Sequence, residues 1–473
     1  MEDGLIVVLD VGKTLAKLTV WTRAGDVVAR ETRPNRRIDT GAYIALDVDG
    51  IEAWLGETLS AFARLDRIDA LVPVGHGAAA CIVRDGVLAL PPLDYEQPIP
   101  AAMASAHAAM RDPFAFTGSP LLPDGLNLAT QLHWLQTLHP QAFDDATRIL
   151  LWPQYWAWRL SGVMASELTS LGCHSDVWRP ADATPSDYAQ AMGWDRMLPP
   201  LRGAGDVLGP IAAEWTACSG LPATTAIHCG LHDSNAALLA ARGFAEIAGD
   251  EATVLSTGTW FVAMRTPGDG AEADIAVLPA HRDCLVNIDA AGRMIPSARF
   301  MGGREIEVLT GLDSRRIDIK PDQPALLAAV AEVVAAGAMI LPTFAPGFGP
   351  FPDSRGRWIA MPTDEYARRA AVSLYAALVA DVSLGLVGAS GRVLVEGRFA
   401  EAEVFVRALA SLRPDVAIYA SNAHNDVSYG ALRLLNPALR PAEPLQRIAP
   451  LEVDVTGYRD AWHRELVRLE PAA

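Results

Sequence analysis

The fold is decided near the N-terminus by residues 5–21, Leu5-Ile-Val-Val-Leu-Asp10-Val-Gly-Lys-Thr-Leu-Ala-Lys17-Leu-Thr-Val-Trp21. An apolar run rich in β-branched residues ends at Asp10, a glycine-bearing turn follows, and an alternating run begins at Ala16. The first composition is typical of a buried strand and the second of a half-buried strand. A hairpin turn at 23–26 and a strand over 27–32 complete the pattern. The chain is therefore predicted to open with an antiparallel meander and not with a βαβ unit.

The tripeptide Gly12-Lys13-Thr14 has the ending of a P-loop but not its context. A P-loop needs a glycine five positions earlier and a helix afterwards. The earlier position is Val7, inside the first strand, and a second strand follows. We exclude the P-loop. Two interpretations remain open for Asp10 and this turn: an ordinary Asp-x-Gly hairpin, or a turn whose amides approach phosphates beside a metal-holding carboxylate.

The same pattern returns about 245 residues later, where Ala252–Leu255 predicts a strand, Ser256–Thr259 a turn and Trp260–Arg265 another strand. Backbone N–H groups in glycine turns form concave anion sites. Two such hairpins facing each other can therefore hold a polyphosphate between them, in a cleft that we place near residue 230.

The remaining periodicities predict both helices and strands. Helices are predicted over 49–65, 127–137, 148–160, 212–219, 324–337, 364–388, 403–412 and 427–435. Further strands are predicted over 68–74, 392–395 and 415–419.

A third segment, Gly230-Leu-His232-Asp233-Ser234, precedes a helical pattern. Asp233 stands where a helix N-terminus is expected, and an N-cap is a frequent use of aspartate there. The alternative is a general base, because phosphoryl transfer to an alcohol needs one carboxylate to accept the hydroxyl proton. The segment alone leaves both interpretations open.

Composition excludes several classes of function. The 473 residues carry a formal net charge of −17, which disfavours nucleic-acid and polybasic membrane-surface roles. No apolar run of the length of a membrane span is found, and the start Met-Glu-Asp-Gly has no basic region of a secretory signal. Five cysteines without a Cys-x-x-Cys pair predict neither disulfides nor a zinc site. We therefore expect a cytoplasmic protein.

The three segments together, in this order, resemble the FGGY carbohydrate kinases, which share the actin/hexokinase-like ATPase fold. Leu9–Thr14 is similar to the first phosphate motif of that family, Gly230–Asp233 to the segment holding the catalytic aspartate, and Thr253–Trp260 to the second phosphate motif. The resemblance runs over nearly the whole chain. It implies an α/β fold with two lobes of ribonuclease H-like domains and a central cleft: a sugar-binding lobe over 1–229, which includes the first phosphate motif, and a nucleotide-binding lobe over 230–473.

The resemblance also implies roles for single residues. Asp233 would be the general base, and Asp10 and Asp233 would lie near Mg²⁺. The expected ATP contacts are Gly12, Lys13, Thr14, Gly258, Thr259 and Gly397. The expected sugar contacts are His76, Gly77, Asp94, His232, Ser234 and Arg299; Arg299 is also open to a nucleotide contact.

Two segments depart from the family pattern. Asp94-Tyr-Glu96 lacks the usual neighbouring arginine, and Glu396-Gly397-Arg398 has one glycine in place of a glycine-rich adenosine turn, with the segment from His424 also altered. A single glycine can still make the turn. Lys17 lies on the strand that follows the turn of Lys13, and its ammonium is expected to contribute little to ATP binding.

The resemblance implies an ATP-dependent kinase that phosphorylates a ketose. A six-carbon deoxy-ketose such as L-rhamnulose or L-fuculose is the first expectation, from the context of His232, Asp233 and Ser234, and D-xylulose or another pentulose is the second. The rival is a catalytically inactive ATPase-fold protein that binds sugar or nucleotide. A homodimer is left open.

Overall fold

The structure is a computed structural model that describes residues 4–249, 251–268, 273–313, 318–421 and 427–468. Residues 424–426, part of the altered segment noted above, lie outside this range. The chain forms two compact units. Unit 1 comprises Met1–Gly243, Val286–Met294 and Asp426–Arg440, and unit 2 comprises Phe244–Leu285, Ile295–Asn425 and Pro441–Ala473. The assignment of 1–229 to sugar binding and of 230–473 to nucleotide binding concerns function and stays a prediction.

The strands, in chain order, are β1 Leu5–Val11, β2 Leu15–Trp21, β3 Val27–Pro34, β4 Arg37–Asp39, β5 Ile44–Leu46, β6 Ile68–Gly75, β7 Ala80–Arg84, β8 Val87–Leu90, β9 Thr147–Leu151, β10 Trp178–Arg179, β11 Thr184–Pro185, β12 Val207–Pro210, β13 Ala226–His228, β14 Leu231–His232, β15 Ala252–Thr257, β16 Phe261–Thr266, β17 Cys284–Ile288, β18 Met294–Phe300, β19 Met339–Leu341, β20 Arg357–Ile359, β21 Arg392–Gly397, β22 Ala417–Ala420 and β23 Gln446–Arg447.

The α-helices are α1 Val48–Phe62, α2 Ala101–Met110, α3 Phe114–Thr117, α4 Leu128–Leu138, α5 Trp152–Ser161, α6 Leu168–Leu171, α7 Asp187–Ala191, α8 Ala213–Ser219, α9 Asp233–Ala241, α10 Gly302–Thr310, α11 Gln323–Ala335, α12 Glu365–Leu386, α13 Glu403–Leu412, α14 Val427–Leu435 and α15 Thr456–Val467. Short 3-10 helices cover Pro140–Ala142, Trp194–Arg196, Ile275–Val277, Ala280–Arg282 and Arg398–Glu401.

The main sheet of unit 1 has the strand order β12-β13-β6-β1-β2-β3, and β14 also pairs with β6. β1, β2 and β3 are successive antiparallel neighbours, which confirms the predicted meander. β1 and β14 both run parallel to β6, with Asp10 opposite Val74 and His232 opposite Gly75. The carboxyl ends of these three strands therefore meet at one edge of the sheet, where ligands of α/β proteins commonly bind.

The main sheet of unit 2 repeats this arrangement. β15 is antiparallel to β16 and parallel to β21, as β1 is to β2 and to β6. The sheet continues on both sides, through β18 beyond β16 and through β22 and β23 beyond β21. The internal similarity of the two hairpins in the sequence is thus a similarity of sheet topology.

The helix predicted over 148–160 is wrong in its first third. Thr147–Leu151 forms the buried strand β9, which pairs antiparallel with β7, and α5 begins only at Trp152. Pro153 lies in the first turn of α5, where a missing N–H costs nothing. That proline marks the start of the helix, and the apolar run before it belongs to the sheet.

One helix of the described chain, α12, is long and apolar enough to cross a membrane, although the sequence reading found no such stretch. Two thirds of its most apolar window, 67%, is buried inside the fold. Its apolar residues pack against the protein itself, as in the core helix of a large domain.

Candidate active site

Asp233 is the first residue of α9, which is held tightly by its neighbour α14. A Cβ on Gly430 of α14 would lie only 1.7 Å from the carbonyl oxygen of Ala236. The two helices therefore touch backbone to backbone at this glycine. This close packing fixes the helix that carries the candidate base.

The carboxylate of Asp233 does not cap its helix. The N-cap position is His232, which makes no side-chain capping hydrogen bond. Asp233 Oδ1 instead accepts hydrogen bonds from the backbone N–H (2.6 Å) and the hydroxyl (3.3 Å) of Ser234. All hydrogen bonds to this carboxylate among the described residues reach Oδ1. The structure thus disfavours the N-cap interpretation and leaves Oδ2 available to a substrate proton.

Burial sets the protonation of this carboxylate and of the imidazole beside it. His232 Nε2 lies 3.1 Å from Asp233 Oδ1. Burial raises the pKa of Asp233, against the lowering influence of His76 and of the Ser234 N–H, and lowers the pKa of His232 to about 4. His232 is therefore neutral at pH 7. Its Nδ1 accepts a hydrogen bond from the side-chain amide of Asn235 at 3.4 Å, so the ring hydrogen is on Nε2.

Two side chains from α6 and the segment after it hold His232. Its backbone N–H donates to Thr169 Oγ1 at 2.9 Å, and its Nε2 lies 3.4 Å from Cys173 Sγ. Thr169 in turn donates its hydroxyl to the buried carboxylate of Glu167 at 2.6 Å. Burial raises the pKa of Glu167 to about 7. Sequence reasoning missed all three residues, because nothing in their local pattern points to the base.

His76 and Gly77 follow β6 at the same sheet edge. His76 Nδ1 donates to the carbonyl oxygen of Gly77 at 2.8 Å, and burial lowers the pKa of the ring. The ring is therefore neutral, and its Nε2 is a buried acceptor without a hydrogen-bond partner among the described residues. A Cβ on Gly77 would lie 2.5 Å from Cys173 Sγ and 3.2 Å from His232 Nε2. Glycine is required here because the backbone packs directly against the side chains of Cys173 and His232.

Asp10, at the end of β1, is buried and paired with Lys17. The two residues are cross-strand neighbours, and Lys17 Nζ lies 2.8 Å from Asp10 Oδ2. The expectation that Lys17 has little influence overlooked this pair. Trp152 is bonded to the end of β1, since its indole N–H donates to the carbonyl oxygen of Val11 at 3.0 Å.

The turn at Gly12–Thr14 joins β1 and β2, and the Gly12 N–H donates to the Leu15 carbonyl at 3.1 Å. A strand follows the turn, in agreement with the exclusion of a P-loop. The Lys13 ammonium extends away from the turn to Asp94 and Glu96. Asp94 is buried, so this ion pair links the turn to the loop after β8.

The second turn, Gly258–Trp260, lies in unit 2 and is packed by backbone. Its Gly258 N–H donates to the Trp260 carbonyl at 3.0 Å. A Cβ on Gly303, in the first turn of α10, would lie 2.0 Å from the Gly258 carbonyl oxygen and 3.1 Å from Thr259 Cα. The start of α10 therefore abuts the turn, and a helix N-terminus favours anions.

Gly397 has a positive φ of 81° at the end of β21. A Cβ there would lie 2.3 Å from the Thr257 carbonyl oxygen. The Thr257 hydroxyl bridges the same region, donating to the Glu396 carbonyl at 2.6 Å and accepting from the Phe399 N–H at 3.0 Å. The glycine is thus needed first for contact between β21 and β15. A larger residue there would disturb the protein's own sheet whatever the nucleotide does.

Arg299 lies on β18 of unit 2, and most contacts of its guanidinium are made within that unit. Its Nε donates to Asp283 Oδ1 at 2.7 Å, and its guanidinium lies 4.9 Å from the centre of the Trp260 ring. One terminal nitrogen is buried without a hydrogen-bond partner among the described residues. Arg299 is therefore next to the second phosphate turn; whether it contacts sugar stays a prediction.

Unit 2 also contains a pocket that sequence reasoning did not foresee. It is lined mainly by apolar side chains between α10, α11 and α12, with Phe399 at one side. Its lining residues are Ile306, Thr310, Leu312, Ile319, Gln323, Leu326, Arg369, Val372, Ser373, Phe399, Ala402 and Phe405.

The structure brings the unit 1 candidates Asp10, His76, Gly77, His232, Asp233 and Ser234 to one sheet edge, and Gly258, Thr259, Arg299 and Gly397 around one turn of unit 2. The five cysteines form no disulfide among the described residues; Cys218 is exposed and the other four are buried. Two α/β units, each with an antiparallel hairpin beside a parallel strand, define a two-domain sugar-kinase fold consistent with the actin/hexokinase-like ATPases.

The chain belongs to the FGGY family of carbohydrate kinases. Residues 114–240 match the N-terminal domain of that family and residues 249–443 match the carbohydrate kinase FGGY C-terminal domain. The crystal structure of a carbohydrate kinase from Novosphingobium aromaticivorans is 53% identical over the whole of both chains, with a TM-score of 0.95. The protein is therefore a phosphotransferase of the carbohydrate-kinase class.

Other relatives are more distant. L-fuculokinase of Escherichia coli K12 is 26% identical over 332 residues, a match that spans 65% of this chain and 66% of that protein. Ligand-bound xylulose kinase from Lactobacillus acidophilus has a TM-score of 0.78 over 99% of both chains but only 14% identity. That likeness shows the fold alone.

Proposed function

We propose that the chain is an ATP-dependent kinase of a ketose, with L-rhamnulose or L-fuculose as the first class of acceptor and D-xylulose or another pentulose as the alternative. The observation that carries the proposal is the carboxylate of Asp233. Its hydrogen bonds occupy Oδ1 and leave Oδ2 for the acceptor. The similarity to L-fuculokinase at 26% identity supports the first class of acceptor.

In the proposed mechanism Asp233 accepts the proton of the acceptor hydroxyl. Its raised pKa makes it a stronger base than an exposed aspartate. Ser234 holds Oδ1 by hydrogen bonds from its N–H and hydroxyl, so that the carboxylate keeps one orientation, and His232 Nε2 lies 3.1 Å from the same oxygen. His76 Nε2, a neutral acceptor, and Asp94 Oδ2 are the proposed acceptors for other hydroxyl groups, because both are buried without a hydrogen-bond partner among the described residues.

ATP is the proposed donor. Its phosphates are assigned to the turn amides at Gly12, Lys13 and Thr14 and at Gly258 and Thr259. Its adenine is assigned to the apolar pocket that Phe399 lines, two residues after Gly397. Mg²⁺ in phosphoryl transfer usually keeps waters and takes only one or two protein carboxylates. Asp10 near the end of β1 and Asp233 directly after β14 lie at the same sheet edge, and they are the carboxylates that would hold the ion. When bound, the ion neutralises charge on the phosphates.

The charge balance of unit 1 favours a neutral acceptor. Lys17 is paired with Asp10, and both Lys13 and Arg37 lie within 4 Å of carboxylates of Asp94 and Glu96. The two histidines near the base are neutral at pH 7. An acidic sugar such as D-gluconate would have to break one of these pairs, whereas a ketose would not. The net charge of −17 disfavours nucleic-acid and membrane-surface partners. We further propose a cytoplasmic location, and a homodimer stays open.

The test is ADP release from ATP with a panel of L-rhamnulose, L-fuculose, D-xylulose and D-gluconate. Turnover with at least one ketose and at least tenfold lower kcat/KM with D-gluconate is expected. The rival, an inactive protein that binds sugar or nucleotide, predicts no ADP release with any of them. Preference for D-gluconate would contradict the neutral acceptor.

A further inference from the structure

The Lys13 ammonium is directed to residues on the acceptor side. Its Nζ forms an ion pair with Asp94 Oδ1, lies 3.0 Å from Glu96 Oε2 and lies 4.0 Å from the centre of the Tyr95 ring. The Lys13 side chain is only 12% exposed. Three consecutive residues, 81 to 83 positions away in the chain, thus surround one cation.

Asp94 needs that cation more than its neighbours do. Its side chain is 1% exposed, and a buried carboxylate is costly unless it is paired. The guanidinium of Arg37 is 3.5 Å from Asp94 Oδ2, but its side chain is 61% exposed and therefore screened by water. Lys13 is the buried counter-ion. Together with the Glu96 N–H at 2.9 Å, it fixes Asp94 through Oδ1.

The other carboxylate oxygen has only the exposed guanidinium of Arg37 near it, at 3.5 Å, and receives no hydrogen bond from the described residues. Asp94 Oδ2 is buried and has no hydrogen-bond partner among the described residues, and the same holds for His76 Nε2. The ring of Tyr95 contacts both the His76 ring, at 5.5 Å between centroids, and the Lys13 ammonium, at 4.0 Å, and so connects His76 with the residues around Lys13. Buried polar atoms are normally satisfied. Two such acceptors, one on Asp94 and one on His76, suit the hydroxyl groups of a polyol.

We infer that Lys13 is a positioning residue of the acceptor site, whose ammonium holds the Asp94 carboxylate so that Asp94 Oδ2 accepts a hydroxyl group of the sugar. This inference rests on the proposed function and deepens it. The backbone of the Gly12–Thr14 turn keeps its proposed place beside the phosphates, while the lysine side chain serves the other substrate. The turn would then touch both substrates at once.

The test compares Lys13→Met, Lys13→Arg and Lys320→Met, using the ketose of the panel that the wild-type chain turns over best. Lys320, the only lysine besides Lys13 and Lys17, is 58% exposed and serves as the control for loss of an ammonium. Lys13→Met is expected to raise the KM for the ketose about tenfold, the scale of a hydrogen bond to a charged group, and to leave the KM for ATP within about twofold. Lys13→Arg should recover most of the loss, and Lys320→Met should match the wild type.

A rise in the KM for ATP with an unchanged KM for the ketose would show that the ammonium serves the phosphates, and would overturn the inference while leaving the kinase intact. Failure of the wild-type chain to turn over any ketose would refute the proposed function and this inference with it. If Lys13→Met does not fold, because Asp94 is left without its cation, the double variant Lys13→Met/Asp94→Asn removes both charges. It should equal Asp94→Asn in both Michaelis constants, and a further rise in the KM for ATP would contradict the inference.

Discussion

The two glycine-bearing turns, Gly12–Thr14 and Gly258–Trp260, sit on the same strand arrangement but are held in place differently. The first is tied to its surroundings by charged side chains, through Lys13 to Asp94 and through Lys17 to Asp10. The second is held by backbone contact, with Gly303 against the Gly258 carbonyl. Ion pairs therefore hold the first turn, whereas close backbone packing holds the second, with the Arg299 guanidinium against its Trp260 ring.

Because of this difference, we expect changes of charge and changes of side-chain size to affect different substrates. Changes of charge or pH should act at the unit 1 edge, on the acceptor and on proton transfer. Changes of size at glycines should act around the unit 2 turn, on ATP. Four experiments separate the two kinds of dependence.

The largest effect is expected from Asp233→Asn, which keeps the shape of the side chain but cannot accept a proton. Turnover should fall about 10²–10⁴-fold, while the affinity for a non-hydrolysable ATP analogue and the Tm stay near wild type. Steady-state ADP release and calorimetry check this. The wild-type kcat should also fall as the pH is lowered through the raised pKa of Asp233, since the protonated acid is no base. Near wild-type kcat in the variant would remove Asp233 from its role.

A large effect on stability is expected at Glu167, whose pKa is about 7 in the folded chain and near 4.5 when exposed. Between these values the folded state binds more protons, so the free energy of unfolding should fall as pH rises, by about 3 kcal/mol from pH 4.5 to pH 7. Glu167→Gln cannot ionise and should lose this fall. Urea unfolding at pH 5 and pH 8 measures it, with exposed Glu214→Gln as the control; equal pH dependence in wild type and Glu167→Gln would be the contrary result.

A smaller effect is expected from Gly303→Ala, which places a Cβ 2.0 Å from the Gly258 carbonyl and forces α10 from the second turn. The KM for ATP should rise about tenfold, because overpacking of this kind costs about 1–3 kcal/mol, and the KM for the ketose should stay unchanged. Gly457→Ala, with nothing within 4 Å of the new Cβ, is the matched control. An equal rise in both Michaelis constants would show that the second turn is not separate from the acceptor.

The smallest effect concerns the nucleobase. Polar groups lining the unit 2 pocket are already engaged: Gln323 with the Ile319 carbonyl, Arg369 with Asp322, and the Ser373 hydroxyl with the Arg369 carbonyl. Few of these polar groups remain able to form hydrogen bonds with a nucleobase. Discrimination between ATP and GTP should therefore stay within about tenfold, or about 1.4 kcal/mol. A preference of several hundredfold, measured by kcat/KM for both nucleotides, would disprove this.

Local patterns predicted what depends on neighbours in the chain. The meander over 5–34 and the long helix over 365–386 follow from periodicity, and the glycine turns from their composition. The pairing of Lys13 with Asp94, 81 residues apart, and the contact of Gly303 with Gly258 depend on how the strands are brought together. No local period records such contacts. The expectation that Gly397 contacts the nucleotide likewise came from the local sequence, which does not record that Gly397 packs against Thr257 of β15.

The glycine contact between α14 and α9 has a consequence for the order in which the chain is made. The helix that carries Asp233 belongs to unit 1, yet its packing partner is synthesised some 180 residues after Gly243, once most of unit 2 has emerged. At about 5–20 residues per second this delay lasts roughly 10–40 s. During that time the nascent chain exposes the face of α9 that Gly430 later covers. The packing that fixes the helix of Asp233 is thus completed only after Gly430 has been synthesised.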